Sequence, residues 1–192
     1  SLLVRPLYAD SIVVEYQEPL DASFRADLHI SLATHELRKV HDFMSSNSCT
    51  ALVTDREGTE TYKQAVCLQF TVTSGSAWWS SGALINNPEH KPYVYTAGHN
   101  IVEAEWATRT IFYFNYEVPA QDETFQPTNQ LTISGSTLLA MDTDVDFALV
   151  ELNKMPPAEY RPYYAGWTRE TNPKGPFMCI QHPYGDVKKV SF

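Results

Sequence analysis

Tyr93-Val94-Tyr95-Thr96-Ala97-Gly98-His99-Asn100-Ile101 opens as a short β-like run and closes on Thr-Ala-Gly-His. Aromatic and β-branched residues suit a pleated, half-buried surface, whereas Ala97-Gly98 lets the chain bend sharply beneath the imidazole that follows. A histidine at that place invites a chemical reading, but a histidine after a strand is as readily a packed or a surface residue. Two further stretches, one on each side, decide between them.

Upstream lies Ser80-Ser81-Gly82-Ala83-Leu84-Ile85-Asn86-Asn87, and downstream Asp144-Val145-Asp146-Phe147-Ala148-Leu149-Val150-Glu151-Leu152. The first resembles the Gly-Ser-Leu-Ile-Asn strand that precedes the catalytic histidine of chymotrypsin-like serine proteases. The second resembles their Asp-Ile-Ala-Leu-Leu strand, which opens on the triad aspartate. The resemblance implies that His99 is the general base and Asp146 its orienter. The chemistry needs both: a carboxylate on the imidazole Nδ1–H fixes the tautomer, leaves Nε2 free to take a proton from a nucleophile, and stabilises the imidazolium that forms. Alone, Asp146 reads as a solvated acid at the start of a strand; three motifs in one order outweigh that reading.

The wider resemblance is to the lysyl endopeptidase branch of the trypsin-like serine peptidases, secreted bacterial enzymes that cut after lysine. It runs from about Cys49 to Phe192 through Ser48-Cys49 with Glu57-Gly58, Leu84-Ile85-Asn86-Asn87, Tyr95-Thr96-Ala97-Gly98-His99 and Phe114-Asn115-Tyr116. It continues through Ser134-Gly135-Ser136-Thr137, Asp146-Phe147, Glu151-Leu152-Asn153, Ala165-Gly166-Trp167, His182-Pro183 and Lys188-Lys189-Val190-Ser191. Residues 10–47 resemble the end of a propeptide in some of these proteins. The departures are in pairs. Ser80 and Asn100 stand where the family has two cysteines that bridge, Asp55 where a second N-terminal cysteine is expected, and Gln121 near that cysteine's partner. The nucleophile is the largest departure. In chymotrypsin-like chains ordered His, Asp, Ser, the serine follows the aspartate by roughly 90 residues, whereas 46 positions (192 minus 146) follow Asp146 here. No Gly-x-Ser-Gly-Gly or Gly-Ser-Ser-Gly-Ser stretch occurs; Ser74-Gly75-Ser76 and Ser134-Gly135-Ser136 read as strand-end turns, and Cys179 lacks a glycine turn that would aim oxyanion-hole amides. The nucleophile is therefore expected beyond Phe192, together with the oxyanion hole and the specificity pocket. This stretch alone is expected to be inactive.

Composition excludes other classes. The chain has 192 residues, 43% hydrophobic and 19% charged, with a net charge of -9 that argues against a phosphate-tracking surface and hence against nucleic acid as a partner. No apolar run approaches the roughly 20 residues needed to span a bilayer, and Ser1-Leu2-Leu3-Val4-Arg5 has neither Met nor a signal-peptide pattern, so we expect a chain cut from a longer one. His35 and His41 sit beside Glu36 and Asp42, but without a His-Glu-x-x-His or Cys-x-x-Cys pattern they read as a wet helix face; no metal and no cofactor are expected. Adjacent on a strand, Trp78 and Trp79 point to opposite faces, one core and one rim, rather than forming a sugar-stacking platform.

Taken in order, Ile12, Val14 and Tyr16 alternate with Val13 and Glu15, the pattern of a strand over residues 11–17, with Ala26 to Ser31 as its partner. Leu37, Val40 and Met44 recur at helical spacing between Ala33 and Met44, and Ser45-Ser46-Asn47-Ser48 reads as a linker. A propeptide-like α+β segment over 1–47 and a trypsin-like peptidase domain over 48–192, incomplete at its C-terminus, follow. Beyond the linker the pattern is all-β: Gln64–Thr73, Trp78–Asn87, Lys91–Tyr95, Thr110–Glu117, Gln130–Met141, Asp146–Leu152, Pro176–Gln181 and Val187–Phe192. The last two flank a hairpin-like turn at His182-Pro183-Tyr184-Gly185-Asp186. We read a mainly β chain: a chymotrypsin-like antiparallel β-barrel plus the opening strands of a second, with an apolar edge left open near Val187 to Phe192. Among three cysteines, the resemblance gives Cys49 a partner in the C-terminal half; Cys67 and Cys179 lie in apolar runs, either as unrelated buried thiols or as a replacement bridge.

The sequence therefore points to part of a secreted or periplasmic serine endopeptidase acting on peptide or protein substrates after lysine, completed by the missing C-terminal half of the same domain. Two rivals remain: a pseudoprotease that keeps the barrel as a binding module, and a β-sandwich adhesion or sugar-binding module, which predicts no contact between His99 and Asp146.

Overall fold

A computed structural model describes residues 3, 4, 7, 9, 11–25, 27–33, 50–119 and 131–192. Among the described residues its strands are β1 (Ala51–Leu52), β2 (Val66–Val72), β3 (Ala77–Ile85), β4 (Tyr93–Thr96), β5 (Thr110–Tyr113), β6 (Thr132–Ser134), β7 (Ser136–Asp142), β8 (Phe147–Leu152), β9 (Cys179–Gln181) and β10 (Lys189–Ser191), with one short α-helix, α1 (Ala104–Thr108), and short 3-10 turns.

Seven strands form one antiparallel sheet in the order β6-β5-β2-β3-β4-β8-β7. The two ends of that order, β6 and β7, are separated in sequence by Gly135 alone, so the sheet must curl until its edges meet. Gly135 makes the closure: its N–H donates to Thr110 O at 2.8 Å beside β5, and its carbonyl accepts from Asn153 N at 3.2 Å just past β8. Its φ of +77° lies in the left-handed region, where a residue without Cβ turns at no steric cost. The protein is thus mainly β, built on a chymotrypsin-like antiparallel barrel.

Alternation along the strands sorts the side chains. Cys67, Leu84, Val94, Phe112, Ala148, Val150 and Leu152 fill the barrel together with Ile101 and Phe114. On the outer face of β2 and β5, Leu68, Ile111 and Tyr113 pack with Leu52, Tyr116, Val118 and Val187 as a second core. Strand β2 therefore has both faces covered, and this is why Cys67, Leu68 and Gln69 are all buried in succession. The second core is roofed by a small antiparallel sheet, β1-β10-β9. Trp78 meets Trp106 of α1 on one side of β3, while Trp79 packs on Phe70 and Tyr113 on the other, ring centroids 4.3 and 5.6 Å apart. Both rings are half-buried against protein rings, so neither is a bare rim platform.

Several expectations are corrected. Residues 11–17 and the described part of 26–31 form no strand; Ile12, Val13, Val14 and Tyr16 are exposed, because an alternating pattern with no hydrogen-bonded neighbouring strand among the described residues has nothing there to bury against. The helix between Ala33 and Met44, the linker and boundary near 47, His35, His41, Cys49 and Gln121 lie outside the described residues. The run Gln130–Met141 is two strands, broken at Gly135, and Thr110–Glu117 stops at Tyr113, with Asn115 at a φ of +52°. Val187 to Val190 are buried beneath and between β1 and β9 and present no open apolar edge; Phe192 is exposed. No bridge joins Cys67 and Cys179: both are free, and Cys179 is exposed rather than buried.

Candidate active site

Two strand ends meet at the site. Strands β4 and β8 are antiparallel neighbours, with Tyr95 opposite Leu149 and Thr96 opposite Ala148, so the end of one lies beside the start of the other. The turn after β4 carries His99; the residue before β8 is Asp146. Antiparallel pairing alone thus brings together side chains 47 positions apart.

Each side chain is presented by a specific turn. His99 is the middle residue of a single 3-10 turn, Gly98–Asn100, closed by Asn100 N to Ala97 O and Ile101 N to Gly98 O, both 3.1 Å. Asp146 follows a turn in which the Asp142 carboxylate accepts the amides of Asp144 at 2.8 Å and Val145 at 3.2 Å. Asp146 itself has a φ of +52°, a left-handed conformation that Asp and Asn tolerate better than bulky residues.

His99 Nδ1 lies 2.9 Å from both Oδ1 and Oδ2 of Asp146, and the His99 amide also donates to Oδ1 at 3.0 Å. The contact expected between these two residues is made. An ionised carboxylate only accepts, so Nδ1 carries the proton and, in the neutral ring, Nε2 offers its lone pair. The His99 backbone N–H, and after it the imidazole, hold the Asp146 carboxyl below its ordinary value. The pair is open to solvent: the two side chains are 71% and 49% exposed. Beside it on the outer face of β4 and β8, the rings of Tyr95 and Phe147 stack with planes 4° apart and centroids at 6.3 Å. An imidazole held in this way can accept a proton at Nε2, with the carboxylate offsetting the charge that develops.

Sequence reading missed what lies under the turn. Inside the barrel, Asn100 Nδ2 donates to Thr96 Oγ1 at 3.2 Å, and the Thr96 hydroxyl lies 3.0 Å from Gln69 Oε1 and 2.8 Å from Ser81 O. Ser80 Oγ donates to the same Gln69 oxygen at 3.0 Å. Ser80 and Asn100, the two positions where the resemblance expects a bridge, are thereby joined through Gln69 and Thr96. Gln69 and Thr96 carried no signal, since a polar residue within a strand reads as outward-facing.

A separate set of titratable groups is buried in and beside the two cores. Lys188 Nζ donates to Lys63 O at 2.8 Å and lies 3.6 Å from Glu117 Oε2, while Glu117 also pairs with Lys63. Burial pushes Lys188 down to about 8 and Cys67 up to about 12, and burial with the nearby Lys188 charge pushes His182 down to about 3. His182 Nδ1 donates to Asp186 O at 3.0 Å. Among the described residues no group of three or more His, Cys, Asp or Glu side chains converges to hold a metal ion.

Residues 43–192 match the family model described as lysyl endopeptidase, C-terminal domain. The chain belongs to that family. A curated lysyl endopeptidase from Pseudomonas aeruginosa is 29% identical to this lysyl endopeptidase-family chain over 163 residues, 78% of the chain and 35% of the relative. The chain thus spans about a third of the length of the curated relative it matches. Among solved structures, protease Anisep from Arthrobacter nicotinovorans overlaps 66% of this chain and 62% of its own, with 18% identity and a TM-score of 0.47. Rv3671c from M. tuberculosis overlaps 71% and 55%, with 16% identity and a TM-score of 0.44. No helix among the described residues is long and apolar enough to cross a membrane.

Proposed function

We propose that this chain carries the base half of a serine endopeptidase site, with His99 as general base and then acid and Asp146 as its orienter. The observation that carries the reading is the pair of 2.9 Å contacts from His99 Nδ1 to Asp146, which commits one ring nitrogen and leaves Nε2 for a substrate or nucleophile. The nucleophile is a serine beyond Phe192, which forms an acyl-enzyme while Nε2 takes its proton. Family membership supports peptide bonds following lysine as the substrate of the complete protein and a secreted or periplasmic location. Residues 1–47 are propeptide-like, and 48–192 begin the peptidase domain.

The 192-residue chain alone is expected to turn over no lysyl peptide, because its sequence holds no Gly-x-Ser-Gly stretch and an aligned base without a nucleophile has nothing to acylate. The test is the open reading frame past Phe192 followed by an assay of its product. Continuation into a Gly-x-Ser-Gly stretch, with cleavage after lysine that His99→Ala abolishes, is the expected result. A stop codon after Phe192 would leave the barrel as a pseudoprotease binding module, and turnover by the 192-residue chain would overturn the split site.

A further inference from the structure

His99 is largely exposed, and Asp146 alone among the described residues holds its side chain, so something beneath must fix where the imidazole stands. The turn that carries it has three residues. On one side Gly98 lies against the backbone of Asp142 and Phe147. On the other side Asn100 is buried and reaches down into the barrel.

We propose that Asn100, Thr96 and Gln69 form a buried polar clamp that positions His99 for Asp146. Three strands are tied by it: Gln69 stands on β2, Ser80 and Ser81 on β3, and Thr96 on β4. Strand alternation places Gln69 with Cys67, Ser80 with Leu84 and Thr96 with Val94 on the inward face, so the clamp occupies the barrel interior rather than its surface. Gln69 is fully buried and Thr96 nearly so. The site is buried, and Thr96 has one hydroxyl proton for Gln69 Oε1 or Ser81 O and a lone pair for Asn100 Nδ2, so loss of the hydroxyl leaves Asn100 Nδ2 and one of those two oxygens short of a partner. Because Asn100 is the last residue of the turn, freedom gained at its side chain is passed to His99 through a single peptide unit. These three are positioning residues; none touches the reacting atoms. The inference rests on the base-and-orienter reading of His99 and Asp146.

The reporter is the His99 amide, which donates to Asp146 Oδ1 at 3.0 Å and is therefore protected from hydrogen exchange only while the turn and the carboxylate are in register. Thr96→Val removes the hydroxyl at nearly constant volume, Thr96→Ser keeps it, and Asn100→Ala removes the anchor. Thr96→Val and Asn100→Ala are expected to speed His99 exchange by about tenfold more than that of the Val94 and Val150 core amides, the size of one lost buried hydrogen bond. Thr96→Ser is expected to behave as the parent. Unchanged His99 protection in folded Thr96→Val overturns the clamp and leaves the dyad standing. So does a His99 amide that speeds only in step with the core amides, since that is general destabilisation. A parent protein whose His99 amide is unprotected overturns the dyad and the clamp together.

Discussion

Gly98 and Phe147 meet backbone to backbone beneath the His99 turn. A Cβ on Gly98 would stand 3.0 Å from both the nitrogen and the carbonyl oxygen of Phe147, and 2.8 Å from the carbonyl oxygen of Asp142. Main chain cannot swing aside as a flexible side chain can, so a methyl group there must push the turn away from β8 and draw His99 off Asp146. Gly98→Ala is expected to lower stability by about 1–3 kcal/mol, the range for overpacking a close contact, and to expose the His99 amide to exchange. Urea unfolding with the same exchange measurement checks it; an alanine variant with parental midpoint and parental protection would show the contact to be slack.

Asp146 accepts from the His99 amide first and the imidazole second, and both lower the proton affinity of its carboxyl in the folded state. The unfolded chain then binds the proton more readily, so this contribution to stability is present above the ordinary aspartate value of about 3.9 and is lost as pH falls through the lower folded value. A carboxyl-carbon titration of Asp146 should show a midpoint below about 3.9. Asp146→Asn keeps the left-handed turn, since Asn tolerates positive φ, but removes the charge. The stability gap between parent and variant should therefore narrow below that pH and hold steady above it. A midpoint at or above the ordinary value would sink the assignment.

Most of the barrel was legible because its strands obey local rules. Val66–Val72 and Tyr93–Thr96 are rich in β-branched and aromatic residues, Phe147–Leu152 is a largely apolar run, and His99 and Asp146 fall at two of the strand ends. The failures share a cause: they turn on partners far away in sequence. Strand β1 is two residues long, too short to alternate, and exists because Ala51 pairs with Val190. Residues 11–17 alternate well and find no strand partner among the described residues. Gln69 carried no signal because polarity inside a strand usually means solvent; it is buried because the barrel interior at that end is itself polar, with Thr96 and Ser80 as its neighbours. The family departures at Ser80 and Asn100 marked the place, but which residues join them is a matter of packing.

The free thiols should react in a fixed order. Cys179 is exposed, whereas Cys67 is fully buried, its proton held up to about 12 by desolvation. The thiolate is the nucleophile, so iodoacetamide near neutral pH is expected to label Cys179 in the native protein and Cys67 only after unfolding. Peptide mapping by mass spectrometry reads both sites. Native labelling of Cys67 at the pace of Cys179 would mean that the barrel opens readily, against its enclosed core.

Lys188 supplies a pH dependence of the opposite kind from Cys67. Burial lowers its folded value to about 8, well below the 10.5 of a free lysine. Between those two values the unfolded chain binds the proton that the folded chain has released, so this group makes stability rise with pH across that window. Cys67, held up in the folded state, lets the unfolded chain lose its proton first and makes stability fall above about 9. The two trends overlap, and a single profile would mix them. Lys188→Met separates them: it fills the site without charge, and Glu117 keeps its pairing with Lys63. At neutral pH the variant should unfold at the parental guanidinium concentration or higher, since it sheds the desolvation of a buried charge while Glu117 stays paired with Lys63, which outweighs the donor that Lys63 O loses. Between pH 8 and 10.5 the parent should gain on the variant as Lys188 gives up its proton. Parallel profiles for the two proteins over that interval would show that Lys188 keeps its charge in the folded state and that Glu117 outweighs desolvation.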